Sequence, residues 1–182
     1  MDSWVVVDNL VPIVLSNVPG CIVEIGLGNS TIILAKHAKN YNRKHYACDF
    51  KKSTCDWVKS NINYDGLLLY NCDSFSFLKN FKDSPAIIFI DGNHRYNVVR
   101  KETELLLPKL VPGGIGFFHD TFICEKWYNR YQRKGKDTDT YKIRQDLEKN
   151  ETVWCMTFPY TAAWCGLTVV LKKEIDRPYY QK

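Results

Sequence analysis

The stretch that decides the fold is Val23-Glu24-Ile25-Gly26-Leu27-Gly28-Asn29-Ser30-Thr31. An apolar run that starts at residue 21 leads into it, and a second apolar run at 32–35 follows it. This order predicts a strand, a tight turn and a helix. Because Gly26 and Gly28 have no side chains, a ligand can approach the turn closely at the N-terminus of the helix. Ser30 and Thr31 carry hydroxyl groups of the kind that cap helices.

The composition is that of one globular domain. A chain of 182 residues that is 45% apolar can build a substantial core, so we expect a single domain over 1–182. Seven cysteines without a C-x-x-C pair indicate reduced thiols. The N-terminal apolar run has no basic leader and is interrupted by Asp8, Asn9 and Pro12, which argues against a signal peptide and a membrane span. The expected location is the cytoplasm.

Strand and helix patterns alternate along the rest of the chain. An N-terminal helix is expected within 1–18, broken near Pro12 and packed on the sheet. The predicted strands are 21–25, 44–49, 67–72, 86–91, 115–120, 152–158 and 166–172, and the predicted helices between them are 30–40, 52–61, 75–81 and 96–107. This order predicts an α/β fold, a doubly wound Rossmann-like sheet of seven strands, mostly parallel, with a C-terminal antiparallel hairpin.

Polar residues stand at the carboxyl end of each predicted parallel strand. The glycine turn follows the first strand, and the others end at Asp49, Asp73, Asp91 and His119-Asp120. Each residue alone would be an ordinary strand end, but carboxyl ends of parallel strands share one edge, where ligands bind. Five such ends together predict a ligand site.

The spacing of these residues indicates a nucleoside ligand. Asp49 follows Gly28 by 21 residues, where an acid can accept hydrogen bonds from ribose hydroxyls, and Asp73 with Ser74 is placed to meet an adenine amino group. Thr31 occupies the place of the third glycine of a dinucleotide motif, which argues against a nicotinamide oxidoreductase. A sulfonium nucleoside has no pyrophosphate and does not require that glycine.

The net charge of +5 lies in one segment, 126–144, which has seven basic and two acidic residues. A basic segment could meet nucleic acid or an acidic substrate, and it could equally be a solvated surface. The basic residues are Lys126, Arg130, Arg133, Lys134, Lys136, Lys142 and Arg144.

Taken together, several motifs resemble the class I S-adenosylmethionine-dependent methyltransferases. They are the stretch 23–31, the acids at 49 and 73, Ile-Asp-Gly-Asn-His-Arg-Tyr at 90–96, Leu-Pro-Lys-Leu-Val-Pro-Gly-Gly at 107–114, and His119-Asp120. Within that class the sequence looks most like the small-molecule O-methyltransferases that include macrocin O-methyltransferase, and more distantly like catechol O-methyltransferase. The resemblance covers residues 20–120.

The resemblance implies a role for each of the matching residues. It implies that Asp49 binds the ribose of S-adenosylmethionine, and that Asp73 and Ser74 bind its adenine. The resemblance also implies that Glu24, Gly26, Gly28 and Ser30 line the methionine part of the cofactor. The remaining residues of the implied cofactor site are Asn29, Thr31, Phe50 and Asp91.

The catalytic residues implied by the resemblance are Asp91 and His94, with His94 in the place of the general base. Asp91 and Asp120, with His119 beside them, stand where that group holds a divalent metal, Mg²⁺ or another ion. His119 replaces an acid common in relatives, and Thr121 stands where an acid or asparagine would complete the site, so metal dependence stays open at this point.

The methyl acceptor implied is a small hydroxylated molecule. Only about twenty residues precede the first strand, so the acceptor pocket is expected from 121–150, from the 159–165 connection with Tyr160 and Trp164, or from a second subunit of a homo-oligomer. Two alternatives remain. One is methyl transfer to a nucleic-acid ribose hydroxyl or to protein, and the other is a non-catalytic nucleotide-binding or partner-binding domain.

Overall fold

The computed structural model describes residues 3–122, 139–159 and 166–174. The predictions for Tyr160 and Trp164, and those for five of the basic residues of 126–144, lie outside these ranges. The helices are α1 Ser3–Asn17, α2 Asn29–Asn40, α3 Lys52–Asn61, α4 Ser74–Asn80, α5 Tyr96–Leu106 and α6 Tyr141–Glu148, with a 3₁₀ turn at Leu107–Lys109. The strands are β1 Cys21–Ile25, β2 His45–Cys48, β3 Leu67–Tyr70, β4 Pro85–Ile90, β5 Ile115–His119, β6 Val153–Phe158 and β7 Leu167–Lys172.

The strands form one seven-stranded sheet in the order β3-β2-β1-β4-β5-β7-β6. Strands β1 to β5 pair in parallel, and β7 pairs antiparallel with both β5 and β6. The predicted Rossmann-like fold with an antiparallel C-terminal pair is therefore confirmed. The strand order reverses between β1 and β4, which places the glycine turn at the topological switch point where such sheets bind ligands.

Helices cover both faces of the sheet, so the central strands are buried on both sides. On one face, side chains of α1 and α2 such as Val7 and Leu34 pack against Phe89 and Phe117. On the other face, Val99 of α5 and side chains of α6 pack in a second cluster. This double burial explains why β4 reads as an uninterrupted apolar run, since all six of its residues are buried.

Helix α1 packs on the sheet as predicted, but it continues through Pro12 and has no break there. A proline inside a helix removes one hydrogen bond and costs about 3 kcal/mol or more. Val7 and Val11 before the proline and Val14 and Leu15 after it are all buried, and this apolar contact with the sheet offsets that cost.

Helix α6 lies in the last third of the predicted acceptor-side segment 121–150. Its residues Ile143 and Leu147 are buried in the core beside α5, and the Tyr96 hydroxyl donates a 2.6 Å hydrogen bond to Asp146. This part of the segment is thus a structural element of the domain.

In the part of the chain that the structure describes, no helix has both the length and the apolar character needed to cross a membrane.

Candidate functional site

The glycine turn joins the ends of three strands. The Gly26 N–H donates to the Cys48 carbonyl at 2.9 Å, and the Asp91 N–H donates to the Ile25 carbonyl at 2.8 Å. Gly26 has φ +87°, and a Cβ at this position would lie 2.5 Å from the Asp91 carbonyl oxygen. The close approach of β1 and β4 therefore requires glycine here.

Gly28 is under no comparable constraint from the protein. Its φ of 173° is extended, and a Cβ built there would meet no atom of the described structure within 4 Å. Its N–H donates to the Thr31 hydroxyl at 2.9 Å, which helps to cap α2. Open space thus lies in front of Gly28 at the N-terminus of α2, where an incoming ligand would find room.

The Glu24 side chain lies beneath the turn and is completely buried. Its Oε1 accepts hydrogen bonds from the Ser30 hydroxyl at 2.5 Å and the Thr31 hydroxyl at 3.1 Å, and its Oε2 lies 3.0 Å from His45 Nε2. The resemblance implied that Glu24, Ser30 and Thr31 face the cofactor. In the structure their side chains point into the protein and support the turn from below.

Asp49 holds the turn from the side. One carboxylate oxygen accepts the Leu27 N–H at 3.1 Å and the other accepts the Lys51 N–H at 2.7 Å. These two bonds fix the orientation of the carboxylate at the end of β2 and leave it on the wall of a pocket.

That pocket lies between the turn and α5, and five of the eleven predicted cofactor residues line it. Gly26, Asp49, Phe50, Asp73 and Ser74 line it, whereas Glu24, Gly28, Asn29, Ser30, Thr31 and Asp91 are not among the lining residues. Phe50 is 70% exposed. The lining residues that the sequence prediction missed are Cys48, Cys72, Phe75, Asn93, Val98 and Glu102, with Ile25 and Gly92.

Asp73 caps helix α4 in addition to lining the pocket. Its carboxylate accepts the Ser76 hydroxyl at 2.6 Å and the Ser76 N–H at 2.9 Å, and these bonds lower the pKa of Asp73. Asp73 therefore remains a carboxylate that is already engaged with α4.

Glu102 is the least expected residue of the pocket. It is 1% exposed, and burial raises its pKa to about 7 although a hydrogen bond from the Ser74 hydroxyl acts in the opposite direction. The sequence did carry a signal for it. An acid occurs in the buried stripe Val99, Glu102, Thr103 and Leu106 of α5, at the positions where an amphipathic helix places apolar residues.

A second cluster lies at the ends of β4 and β5. Ligand-type atoms of Asp91, His94 and Asp120 all lie within 4.8 Å of one another, and His94 Nδ1 is 3.3 Å from Asp120 Oδ2. Asp120 has the left-handed φ of +56°. Burial raises the pKa of the Asp120 carboxyl and the charge of Asp91 acts in the same direction, while His119 and His94 oppose them.

His119 lies behind this cluster and is not a member of it. Its Nδ1 is 3.1 Å from Asp91 Oδ1 and 3.2 Å from Asp120 Oδ1, and its Nε2 is 3.4 Å from the Ser3 hydroxyl. The ring stacks on Trp4 with 5.3 Å between centroids. Among the described residues, the group that could hold a metal ion is Asp91, His94 and Asp120, while His119 contacts both carboxylates from the side of α1.

Thr121 does not add a donor to the cluster. Its side chain is buried, and its hydroxyl lies 2.7 Å from the Thr168 hydroxyl and donates to the Phe118 carbonyl at 3.2 Å. The side chain therefore points into the core between β5 and β7.

Asp139 connects the α6 side of the domain to the cluster. Its carboxylate accepts the Tyr96 N–H at 2.6 Å, and its own N–H donates to the His94 carbonyl at 3.1 Å. Burial acts to raise the Asp139 pKa, but hydrogen bonds from Tyr96 and Lys142 outweigh it and lower the pKa. Asp139 therefore holds the backbone of the loop that carries His94 at two points, the His94 carbonyl and the Tyr96 N–H.

The two basic residues of 126–144 that the structure describes are engaged within the protein. Lys142 Nζ lies 3.1 Å from Asp139, and Arg144 pairs with Glu148 at 3.4 Å and packs over the Phe122 ring. The other five basic residues of the segment lie outside the described residues.

Comparison with known proteins gives one family and many similar folds. Residues 23–121 match the family described as methyltransferase domain. The fold is similar to that of an O-methyltransferase from Bacillus cereus in complex with SAH, at 20% identity and a TM-score of 0.74, over 93% of this chain and 80% of that one. No curated protein matches the chain.

Two further structures show the same fold. One is the O-methyltransferase TomG from Streptomyces achromogenes, involved in tomaymycin synthesis and in complex with SAM, at 14% identity and a TM-score of 0.72, over 94% of this chain and 79% of that one. The other is a candidate rRNA-methylase from Clostridium thermocellum, at 14% identity and a TM-score of 0.66, over 96% of this chain and 98% of that one.

Proposed function

The chain belongs to the methyltransferase domain family, and from this premise we propose that it is an S-adenosylmethionine-dependent O-methyltransferase that acts on a hydroxyl group of a small molecule. The observation that carries the proposal is the position of two sites on one sheet edge. The pocket beside the glycine turn and the cluster Asp91, His94 and Asp120 are contiguous, since Gly92 and Asn93 line the pocket between them.

The residues of the pocket fit S-adenosylmethionine in chemistry. Asp49 presents a fixed carboxylate to accept ribose hydroxyls, and Gly28 leaves space at the helix N-terminus. Glu102 supplies a buried carboxyl group whose Oε2 has no hydrogen-bond partner among the described residues. S-adenosylmethionine, when bound, supplies an activated methyl group for an in-line displacement, and the enzyme contributes by holding the acceptor oxygen in line.

His94 is placed to take the proton of the acceptor hydroxyl. His94 Nδ1 lies 3.3 Å from Asp120 Oδ2, so in this proposal Nδ1 carries the proton and Nε2 carries the lone pair. The His94 side chain is partly exposed, so this nitrogen can reach an acceptor that binds outside the sheet edge. In this role the carboxylate of Asp120 sets the tautomer and stabilises the imidazolium that forms.

The same three residues also fit a divalent cation. Two carboxylates with one imidazole suit Mn²⁺ or another first-row transition ion better than Mg²⁺, which prefers oxygen ligands. Such an ion, held by Asp91, His94 and Asp120, would lower the pKa of an acceptor hydroxyl. His94 would then be a ligand and no longer the base, so the two roles are exclusive and can be separated by experiment.

The first experiment is isothermal titration of the full chain with S-adenosylhomocysteine. Binding is expected, and no binding at millimolar concentration refutes the cofactor assignment. Methyl transfer from labelled S-adenosylmethionine to a panel of phenols and sugars then identifies the acceptor class. Cofactor binding without transfer to any acceptor in a broad panel would favour a non-catalytic nucleotide-binding domain.

The second experiment separates the two roles of His94. If an ion is held, titration with Mn²⁺ gives a binding signal that Asp91→Asn and His94→Ala both abolish, and chelation stops turnover. If His94 is the base, turnover survives chelation, and His94→Ala lowers it by about 10²- to 10⁴-fold. Asp56→Asn is the control, because Asp56 is an exposed acid paired with Lys52 on α3, far along the chain from the cluster.

A hydroxyl of RNA ribose is the second candidate acceptor. The +5 charge of segment 126–144 favours it, with five basic side chains beyond those that Asp139 and Glu148 engage. Retention on an RNA column that falls steeply with salt would support this candidate, since each phosphate contact releases a counterion. Salt-independent elution would leave the small-molecule acceptor.

Gel filtration tests whether a second subunit completes the acceptor pocket. The five free cysteines among the described residues support a reducing, cytoplasmic location.

A further inference from the structure

Glu102 is a buried acid with an unused oxygen in the wall of the pocket. Its Oε2 atom is inaccessible to solvent and has no hydrogen-bond partner among the described residues. A buried polar atom without a partner is destabilising, and a ligand that supplies the missing hydrogen bond would remove that penalty. Burial of the residue is nearly complete, at 1% exposure, although it lines the pocket.

The position of Glu102 is at the end of the pocket predicted to bind adenine. Ser74, one of the two residues in the predicted adenine set, lies beside the Glu102 carboxyl, and its hydroxyl acts to lower the Glu102 pKa. Val98, one turn earlier on α5, and Phe75 of α4 line the same wall. Apolar side chains on this wall suit the faces of a purine, and the carboxyl group is the polar feature of α5 there.

The hydrogen-bonding pattern of a neutral carboxyl matches the edge of adenine. Adenine presents an N6 amino donor beside a ring nitrogen acceptor, and an amide side chain reads that pair with two hydrogen bonds. A protonated carboxyl offers the same pair of groups, with C=O accepting and O–H donating. An ionised carboxylate can only accept, so it would face the lone pair of the ring nitrogen.

We propose that Glu102 recognises the adenine of the cofactor as a neutral carboxylic acid, donating its proton to a ring nitrogen and accepting a hydrogen bond from the N6 amino group. The inference rests on the proposed S-adenosylmethionine-dependent function. It assigns base specificity to α5, whereas the sequence motifs assign it only to Asp73 and Ser74.

The electrostatic surroundings favour the neutral form near neutral pH. Burial raises the Glu102 pKa to about 7, and the ionised form is lost below it. The titratable groups that line the same pocket from the other elements are Asp49 and Cys48 at the end of β2 and Cys72 and Asp73 before α4. Cofactor affinity is therefore highest below pH 7 and falls as Glu102 loses its proton above it.

The test is isothermal titration of the full-length protein with S-adenosylhomocysteine and with its inosine analogue, in which a carbonyl replaces the amino group and the ring nitrogen carries a proton. For the wild type we expect preference for the adenine ligand by about 5- to 100-fold, as for a good bidentate contact to a base. We also expect a loss of affinity on the order of tenfold between about pH 6 and about pH 8.5. The ligand preference and the pH dependence are both measured on the wild-type protein.

Three variants complete the test. Glu102→Gln keeps one donor and one acceptor, so it should retain adenine binding and lose the dependence on pH. Glu102→Leu should lose both the affinity and the preference for adenine. Glu104→Gln is the matched control on the same helix, because Glu104 is exposed and paired with Arg100. Thermal unfolding of each variant verifies that it is folded.

The outcomes distinguish the inference from the function on which it rests. Tight binding of S-adenosylhomocysteine that is equal in wild type and Glu102→Leu, or equal for the adenine and inosine ligands, overturns the role of Glu102 and leaves the proposed function standing. No binding of S-adenosylhomocysteine to the wild type at millimolar concentration overturns both.

Discussion

Replacing Glu24 with alanine tests whether this acid supports the glycine turn or binds the cofactor. The carboxylate is completely buried under the turn, and it contacts the hydroxyl groups of Ser30 and Thr31 and the ring of His45. Glu24→Ala removes these contacts without changing the backbone of β1. We expect a large loss of stability in the protein without any ligand.

The size of the loss follows from the groups left behind. Thr31 keeps a partner, because its hydroxyl also accepts the Gly28 N–H. The Ser30 hydroxyl and His45 Nε2 lose the carboxylate that faces them, at about 1–3 kcal/mol for each buried polar group. A cavity term of about 1 kcal/mol adds to this. These contributions add up to about 3–7 kcal/mol, and we expect about 4 kcal/mol, which also lies within the range of about 3–5 kcal/mol for breaking a buried charged contact.

Urea unfolding followed by circular dichroism measures the change in the free energy of unfolding. In thermal unfolding, the same loss should lower the melting temperature by about 8–16 °C for a domain of this size. Glu24→Gln keeps one oxygen for Ser30 and should lose about half as much. Glu104→Ala is the control, since Glu104 is exposed and should cost less than about 0.5 kcal/mol.

A double-mutant cycle with Ser30→Ala gives the coupling between the two side chains, expected at about 1–2 kcal/mol. The reasoning fails if Glu24→Ala loses less than about 1 kcal/mol in stability while the affinity for S-adenosylhomocysteine falls tenfold or more. That result would make Glu24 a direct cofactor ligand, as the resemblance to the methyltransferases implied.

Four other substitutions follow from the geometry of the site and the packing of α1. Gly26→Ala should destabilise the fold by more than about 2 kcal/mol in urea, whereas Gly28→Ala should leave stability within about 0.5 kcal/mol and weaken S-adenosylhomocysteine binding in titration. Asp8→Asn should cost less than about 1 kcal/mol, because Asp8 is partly exposed beside His37. The hydrogen bond from His37 lowers the Asp8 pKa below 3.8, so this contribution should be complete above pH 3.8 and disappear as pH falls through the lowered value. Asp139→Ala should cost about 1–2 kcal/mol in thermal unfolding, since it uncaps α5, and should reduce methyl transfer in the same preparation.

Much of the fold could be predicted because parallel strands buried on both faces appear in the sequence as continuous apolar runs. Strands β1 and β4 are of this kind, and glycine or proline marks the ends of neighbouring elements. The continuation of α1 through Pro12 could not be predicted, because its cause is the burial of residues on both sides of the proline against a distant sheet.

The sheet edge that carries the site could be predicted, but several side-chain directions could not. All five residues of β1 are buried, so the sequence does not show which face Glu24 points to. The left-handed conformation of Asp120 brings its carboxylate to His94, and no pattern in the sequence indicated that turn. Glu102, in contrast, was visible as an acid within the apolar stripe of α5.

The contact of His119 with the first turn of α1 determines the order in which the two halves of the site can form during synthesis. Ser3 and His119 are 116 residues apart in the chain, and Trp4 stacks on the same ring. During translation, β1 to β4 and helix α5, which carry the residues lining the pocket, leave the ribosome before β5 exists. The nucleoside half of the site can therefore form early on a nascent chain. The half around Asp91 and Asp120 waits until a strand made more than a hundred residues later closes against the first helix.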